Sequence, residues 1–268
     1  MTNWLKISLW SLFGLGIIAL MFIISSIQSQ RVLDEPDIVM VKSGENPFLT
    51  EGELLQLLER ETLFHEGMIR EELNIAAIEN LIADISQVKS VKVFTEIGSS
   101  WKIEVKLRNP VARIFNSVGE SFYIDDDGDI VSTTQTHTAR VVVVTGAIND
   151  RKNGLSVSEI INNDSLISIR KLDDIYRISN YVWYDPFFRL MIGQLHLEKN
   201  GDFTLIPLVG DQKIVFGSAE TEEEVEAKFE KLRIFYDEAM PSVGWKTYSE
   251  ISLKYDEQIV CKTKPNAE

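Results

Sequence analysis

From Ile7 to Ile27 the chain reads ISLWSLFGLGIIALMFIISSI, with no charged residue anywhere in the run. A helix needs about 20 such residues to cross the hydrocarbon layer of a bilayer, and a soluble core helix of that length and composition has nothing to present to water. A cleaved signal peptide is the competing reading. The run exceeds the usual apolar region of about 7–15 residues, and only Ile24 and Ser26 stand where a small-residue pair is required. The run is therefore read as an uncleaved membrane anchor, residues 7–27, behind a short head at residues 1–6. Lys6 before it and Arg31 after it nearly balance under the positive-inside rule. The short head predicts the N-terminus in the cytoplasm and the bulk of the chain outside it.

The chain as a whole has the composition of a protein that buries a core: of its 268 residues, 44 % are hydrophobic and 25 % charged. A net charge of −14 repels polyphosphate and leaves no basic stripe, which argues against nucleic acid as a partner. Cys261 is the single cysteine, so an internal disulfide and a cysteine-based metal cluster are excluded.

Periodicity divides the part beyond the anchor in two. Ile38, Val39 and Val41 read as a short strand ended by Gly44 and Pro47. Thr50-x-x-Glu53 is a capping box opening a helix that carries Leu54, Leu55, Leu57 and Leu58. Asn74 caps a second helix with Ile75, Ile78, Leu81, Ile82 and Ile85 on one face. Val91, Val93, Thr95 and Ile97 alternate with Lys92, Phe94 and Glu96, and beyond Gly98-Ser99-Ser100 Trp101, Ile103, Val105 and Leu107 alternate with Lys102, Glu104, Lys106 and Arg108, which predicts a hairpin with one buried face. The order is strand, helix, helix, strand, strand.

RNPVARI comes next. Pro110 lacks an N–H and holds Asn109 extended, so pairing stops there and the chain passes into a second domain; an edge strand with an incidental proline inside one domain is the alternative. Beyond Val111 strands dominate. Ser156-x-x-Glu159 predicts a helix to about Tyr181, and Thr221-x-x-Glu224 opens an amphipathic helix with Val225, Phe229, Leu232, Tyr236 and Ala239 on one face. Ser249, Ile251, Leu253 and Tyr255 alternate as a closing strand. The predicted fold class is α+β: a single N-terminal transmembrane helix, a β-α-α-β-β domain at 37–110, a mostly antiparallel β domain with peripheral helices at 111–262, and a tail at 263–268.

Catalytic equipment is sparse. His65, His137 and His196 have no partner at metal-binding spacing. DDDGD at Asp125–Asp129 would place Tyr123 and Thr134 at the first and twelfth positions of an EF-hand loop, where carboxylates are needed, so it reads as a hairpin turn. No nucleophile elbow, Walker loop or dinucleotide fingerprint occurs. Trp183, Tyr184, Phe187 and Phe188 read as core. No catalytic residue, metal ligand or cofactor is predicted.

The anchor, the β-α-α-β-β unit, the junction RNPVARI and the turn SFYIDDDG together resemble the FtsQ/DivIB family of bacterial cell-division proteins. Arg108, Pro110, Ala112 and Gly128 match the family's junction and turn, and KFEKLRIFYDEAM with GWKTYSEISLKYDEQIV fits its last helix and final strands. The resemblance implies a POTRA-like first domain and a non-enzymatic divisome scaffold in the inner membrane at the septum. It also implies that FtsB/FtsL-like coiled-coil proteins bind outside the cytoplasm by strand addition. Lys254, Tyr255, Gln258, Ile259 and Val260 are the partner-binding residues it implies, and Arg108, Pro110 and Ala112 the domain junction. The rival readings are an envelope-anchored wall-acting enzyme and a POTRA-type adaptor of a secretion or outer-membrane assembly system.

Overall fold

In the computed structural model, which describes residues 3–41, 49–134, 137–153, 156–163, 166 and 170–264, the chain opens with helix α1 (Asn3–Ser29). Within it, Leu9–Ser29 is long and apolar enough to cross a membrane, and none of that stretch is buried in the protein. Among the described residues one compact unit ends at Leu107 and a second begins at Arg108.

The first unit contains β1 (Asp37–Val41), α2 (Glu51–Arg60), α3 (Ile75–Ala83), β2 (Val88–Thr95) and β3 (Trp101–Leu107). Gly44 and Pro47, expected to end the first strand, lie outside the described residues. The sheet runs β1-β3-β2, with β1 parallel and β2 antiparallel to β3. The capping box of α2 forms as its sequence requires: Glu53 N–H donates to Thr50 Oγ1 at 3.2 Å, and Thr50 N–H to Glu53 Oε2 at 2.9 Å. Leu54, Leu58, Ile78 and Ile82 from the helices meet Trp101, Ile103, Val105 and Leu107 of β3 in one core. A register shift between Val88 and Ser90 changes the phase of β2, so that Val88 is buried as well as Val93. Ile97 departs from the expected buried face. Pairing ends at Thr95↔Trp101, and Ile97, in the turn beyond it, is 97 % exposed.

Among the described residues the second unit is a nine-stranded sheet with helices. Its elements are β4 (Pro110–Phe115), β5 (Ser121–Asp125), β6 (Ile130–Ser132), β7 (Val142–Gly146), α4 (Val157–Ile161), α5 (Leu172–Tyr184), α6 (Pro186–Met191), β8 (Ile192–Leu197), β9 (Phe203–Pro207), β10 (Lys213–Gly217), α7 (Glu222–Ile234), α8 (Met240–Val243), β11 (Tyr248–Ser252) and β12 (Val260–Thr263), with a π-helical turn at Phe235–Ala239. The order is β12-β11-β10-β9-β8-β7-β4-β5-β6, mostly antiparallel. The parallel neighbours are β4/β7, β7/β8 and β10/β11. A parallel pair needs a crossover, and α4–α6 supply it between β7 and β8, α7–α8 between β10 and β11.

One apolar row crosses eight strands in register: Phe122, Ile114, Val144, Leu195, Leu205, Ile214, Ile251 and Cys261. It packs with Ile175, Ile178, Val182, Phe188, Phe229 and Leu232 from the helices. At the centre Phe229, fully buried, stacks on Tyr181 at 4.5 Å between centroids and meets Phe188 at 4.7 Å and Phe216 at 5.1 Å.

Two helices differ from their sequence reading. The helix opened by Ser156 stops at Ile161, where the Asn162 side chain donates to the Ser158 carbonyl at 2.7 Å, and a separate helix starts at Leu172. At Thr221 only half of the expected box forms: Thr221 caps Glu224, but the Glu224 carboxylate accepts from Glu220 N–H and pairs with Lys228.

Asp185 joins α6 to α7. Its carboxylate accepts from the N–H groups of Phe187 (2.9 Å) and Phe188 (3.0 Å) and pairs with Arg233. Burial works against the charge, yet Arg233 and these N–H groups hold the carboxyl below its ordinary value. A depressed folded pKa gives stability that is present above the unfolded value near 3.9 and lost as pH falls through the folded one. Asp185→Asn keeps the cap and removes the charge. Because Arg233 is partly exposed, it is expected to cost about 1 kcal/mol or less at neutral pH in chemical denaturation. The gap from wild type should close below about pH 4.

Candidate functional site

The outer strand β12, which with β6 bounds the strand order, holds the end of the segment nominated from the sequence. It pairs antiparallel with β11 through Tyr248↔Thr263, Glu250↔Lys262, Ile251↔Cys261 and Ser252↔Val260, and among the described residues its other side carries no strand. Two bonds fix which of its groups face inward. Lys264 N–H donates to the Thr247 carbonyl at 3.0 Å, and the Lys262 carbonyl accepts from Ser249 Oγ at 3.1 Å. In an antiparallel ladder the direction alternates. Val260, Lys262 and Lys264 therefore spend their backbone groups on β11, and Ile259, Cys261 and Thr263 turn theirs outward.

Side chains alternate across the strand as well. Ile259 and Cys261 pack on the core, and Val260 and Lys262 lie on the opposite face, Val260 exposed and Lys262 paired with Glu250 at 2.7 Å. Burial pushes the Cys261 thiol up, so it sits here as a small apolar side chain.

The expected closing strand is two pieces. β11 stops at Ser252, Tyr255–Glu257 bend, and β12 begins at Val260. The cause lies on α7: Lys231 Nζ donates to the carbonyls of Tyr255 at 2.6 Å and Asp256 at 3.1 Å, which takes them out of any ladder. Burial, with Lys228 nearby, pulls the Lys231 ammonium down. The sequence reading missed Lys231 because its only local signal was a place on a charged helix face.

Lys254 pairs with Asp202, in the β8–β9 turn, at 2.7 Å, and that hydrogen bond raises its pKa. Tyr255 and Gln258 are exposed. The five nominated residues thus succeed one another along the bend and into β12. Arg108, Pro110 and Ala112 belong elsewhere in the same sheet: β4 stands six strands from β12, about 29 Å at the usual strand spacing. Pro110 opens β4, and Ala112 is fully buried between Ile124 and Val142. Arg108 pairs with Asp125 and Asp129, each at 2.7 Å. Asp125 also accepts from the N–H groups of Asp127 and Asp129, which makes DDDGD an anchored turn with its buried carboxylate committed to protein donors. His196 is a register neighbour of Thr145, whose hydroxyl lies 3.0 Å from its Nδ1, and Gln194 donates to the same oxygen.

An apolar helix long enough to cross a membrane leads into two α+β units, the second built on a mixed sheet whose outer strands are β12 and β6. The chain belongs to the FtsQ/DivIB, C-terminal related family, whose family model matches residues 109–262. It is on that ground a cell-division protein. The match begins one residue into the second unit and ends within β12. No curated protein matches the chain.

Proposed function

We propose that this chain is a non-enzymatic scaffold of the divisome, one that holds other division proteins outside the cytoplasm and so influences septal wall synthesis. It sits in the inner membrane at the septum with its N-terminus in the cytoplasm. Residues 37–110 form a POTRA-type domain and 111–262 the partner-carrying domain, with Arg108, Pro110 and Ala112 at the junction. An FtsB/FtsL-like coiled-coil pair adds a strand to β12, with Lys254, Tyr255, Gln258, Ile259 and Val260 around it. The observation that carries this reading is the outward row of backbone groups on β12, within the segment matched by the family.

Depletion tests it. Cells losing the protein are expected to grow as filaments with unpinched septa, visible by microscopy. Normal division with altered wall-fragment composition would instead favour an enzyme acting on the wall.

A further inference from the structure

α1 and the first unit are joined without slack. Past Ser29, Arg31 N–H still donates to the Gln28 carbonyl at 3.3 Å, Val32 bridges to Ile69, and Leu33 is buried with its N–H on the Met68 carbonyl at 2.8 Å. Asp34 then grips the β2–β3 turn. Its N–H donates to the Ser99 carbonyl at 3.1 Å, its carboxylate accepts from Ser99 Oγ, and its carbonyl accepts from Trp101 Nε1 at 2.8 Å. Arg70 ties the same turn to the same segment, donating from its guanidinium to the carbonyls of Glu96 (3.1 Å) and Gly98 (3.2 Å) and from its N–H to the Arg31 carbonyl (2.9 Å).

The reach is short. Three residues from Ser29 to Val32 extend at most about 11 Å, while the headgroup layer beyond the hydrocarbon is about 5–7 Å thick on each side. At this place the turn presents Ile97, the most exposed large apolar side chain of the first unit, and Val32 is exposed too.

We infer that the β2–β3 turn is a membrane-contact element: Ile97 rests in the interface of the bilayer that holds α1 and docks the first unit on the lipid surface. The bilayer is the occupant because it is the medium in which α1 ends, a few residues before Asp34, which is bonded to the turn. The inference rests on the reading of Leu9–Ser29 as a membrane span.

The test uses the full chain with Cys261→Ala, reconstituted in phosphatidylcholine vesicles. Cysteines introduced singly by Ile97→Cys and Phe13→Cys carry an environment-sensitive fluorophore. Iodide in the water and spin-labelled lipids in the bilayer serve as quenchers. Severalfold protection from iodide at both positions, with shallow-lipid quenching at position 97, is the expected result. A protected position 13 beside a position 97 open to iodide and untouched by lipid overturns the inference while the span stands. Both positions open to iodide overturn the span reading, and the inference with it.

Discussion

Cys261→Pro is expected to leave the protein folded and, where the proposed docking on β12 holds, to abolish its hold on the partner pair. The N–H of Cys261 points away from β11, so proline there removes no bond of the sheet, and proline is tolerated on an edge strand in that orientation. An added strand loses one donor and meets the pyrrolidine ring. One hydrogen bond contributes about 1 kcal/mol net, and the steric conflict adds to it, so affinity should fall at least about tenfold. Co-purification of the chain with the proposed FtsB/FtsL-like partners measures the loss, and circular dichroism verifies the fold. Val260→Pro is the informative contrast. Its N–H belongs to the β11 ladder, so that variant should lose thermal stability as well as binding. Wild-type co-purification by a folded Cys261→Pro chain would move the docking site away from β12.

The largest effect on stability is expected from Phe229→Ala. The ring is fully buried against Tyr181, Phe188 and Phe216, and it joins α7 to α5, α6 and β10. Removing such a ring costs about 3–5 kcal/mol, since the cavity is closed only in part by relaxation. Domains of ordinary stability hold about 5–15 kcal/mol in all. The denaturation midpoint of the second unit should therefore collapse, and binding at β12 with it. A shift worth less than about 1 kcal/mol would mean that the aromatic cluster repacks freely.

The elements with strong periodicity and a cap were legible in the sequence. Thr50 and Asn74 start their helices where expected, and the apolar alternation of Trp101, Ile103, Val105 and Leu107 is the inward face of β3. What stayed hidden depended on contacts distant in sequence. Ile97 continued the alternation of β2, but pairing stops at the turn before it. Ser249 to Tyr255 alternated like one strand, yet a lysine some twenty residues upstream bends the chain at Tyr255 and Asp256. That the chain closes in a strand was readable; its register was not. Whether residue 260 or 261 faces outward depends on bonds such as Lys264 to Thr247, which no local pattern encodes.

The position of β12 at the end of the strand order also sets a sequence in time. Among the described residues it pairs with β11 alone, and β11 reaches β10 only after α7 and α8 have been threaded between them. Residues 248–263 leave the ribosome, and any export channel, after all the other strands of this sheet. A half-delivered chain thus lacks β12, and a partner that adds its strand there, as proposed, has nothing to pair with until the rest of the sheet has been delivered.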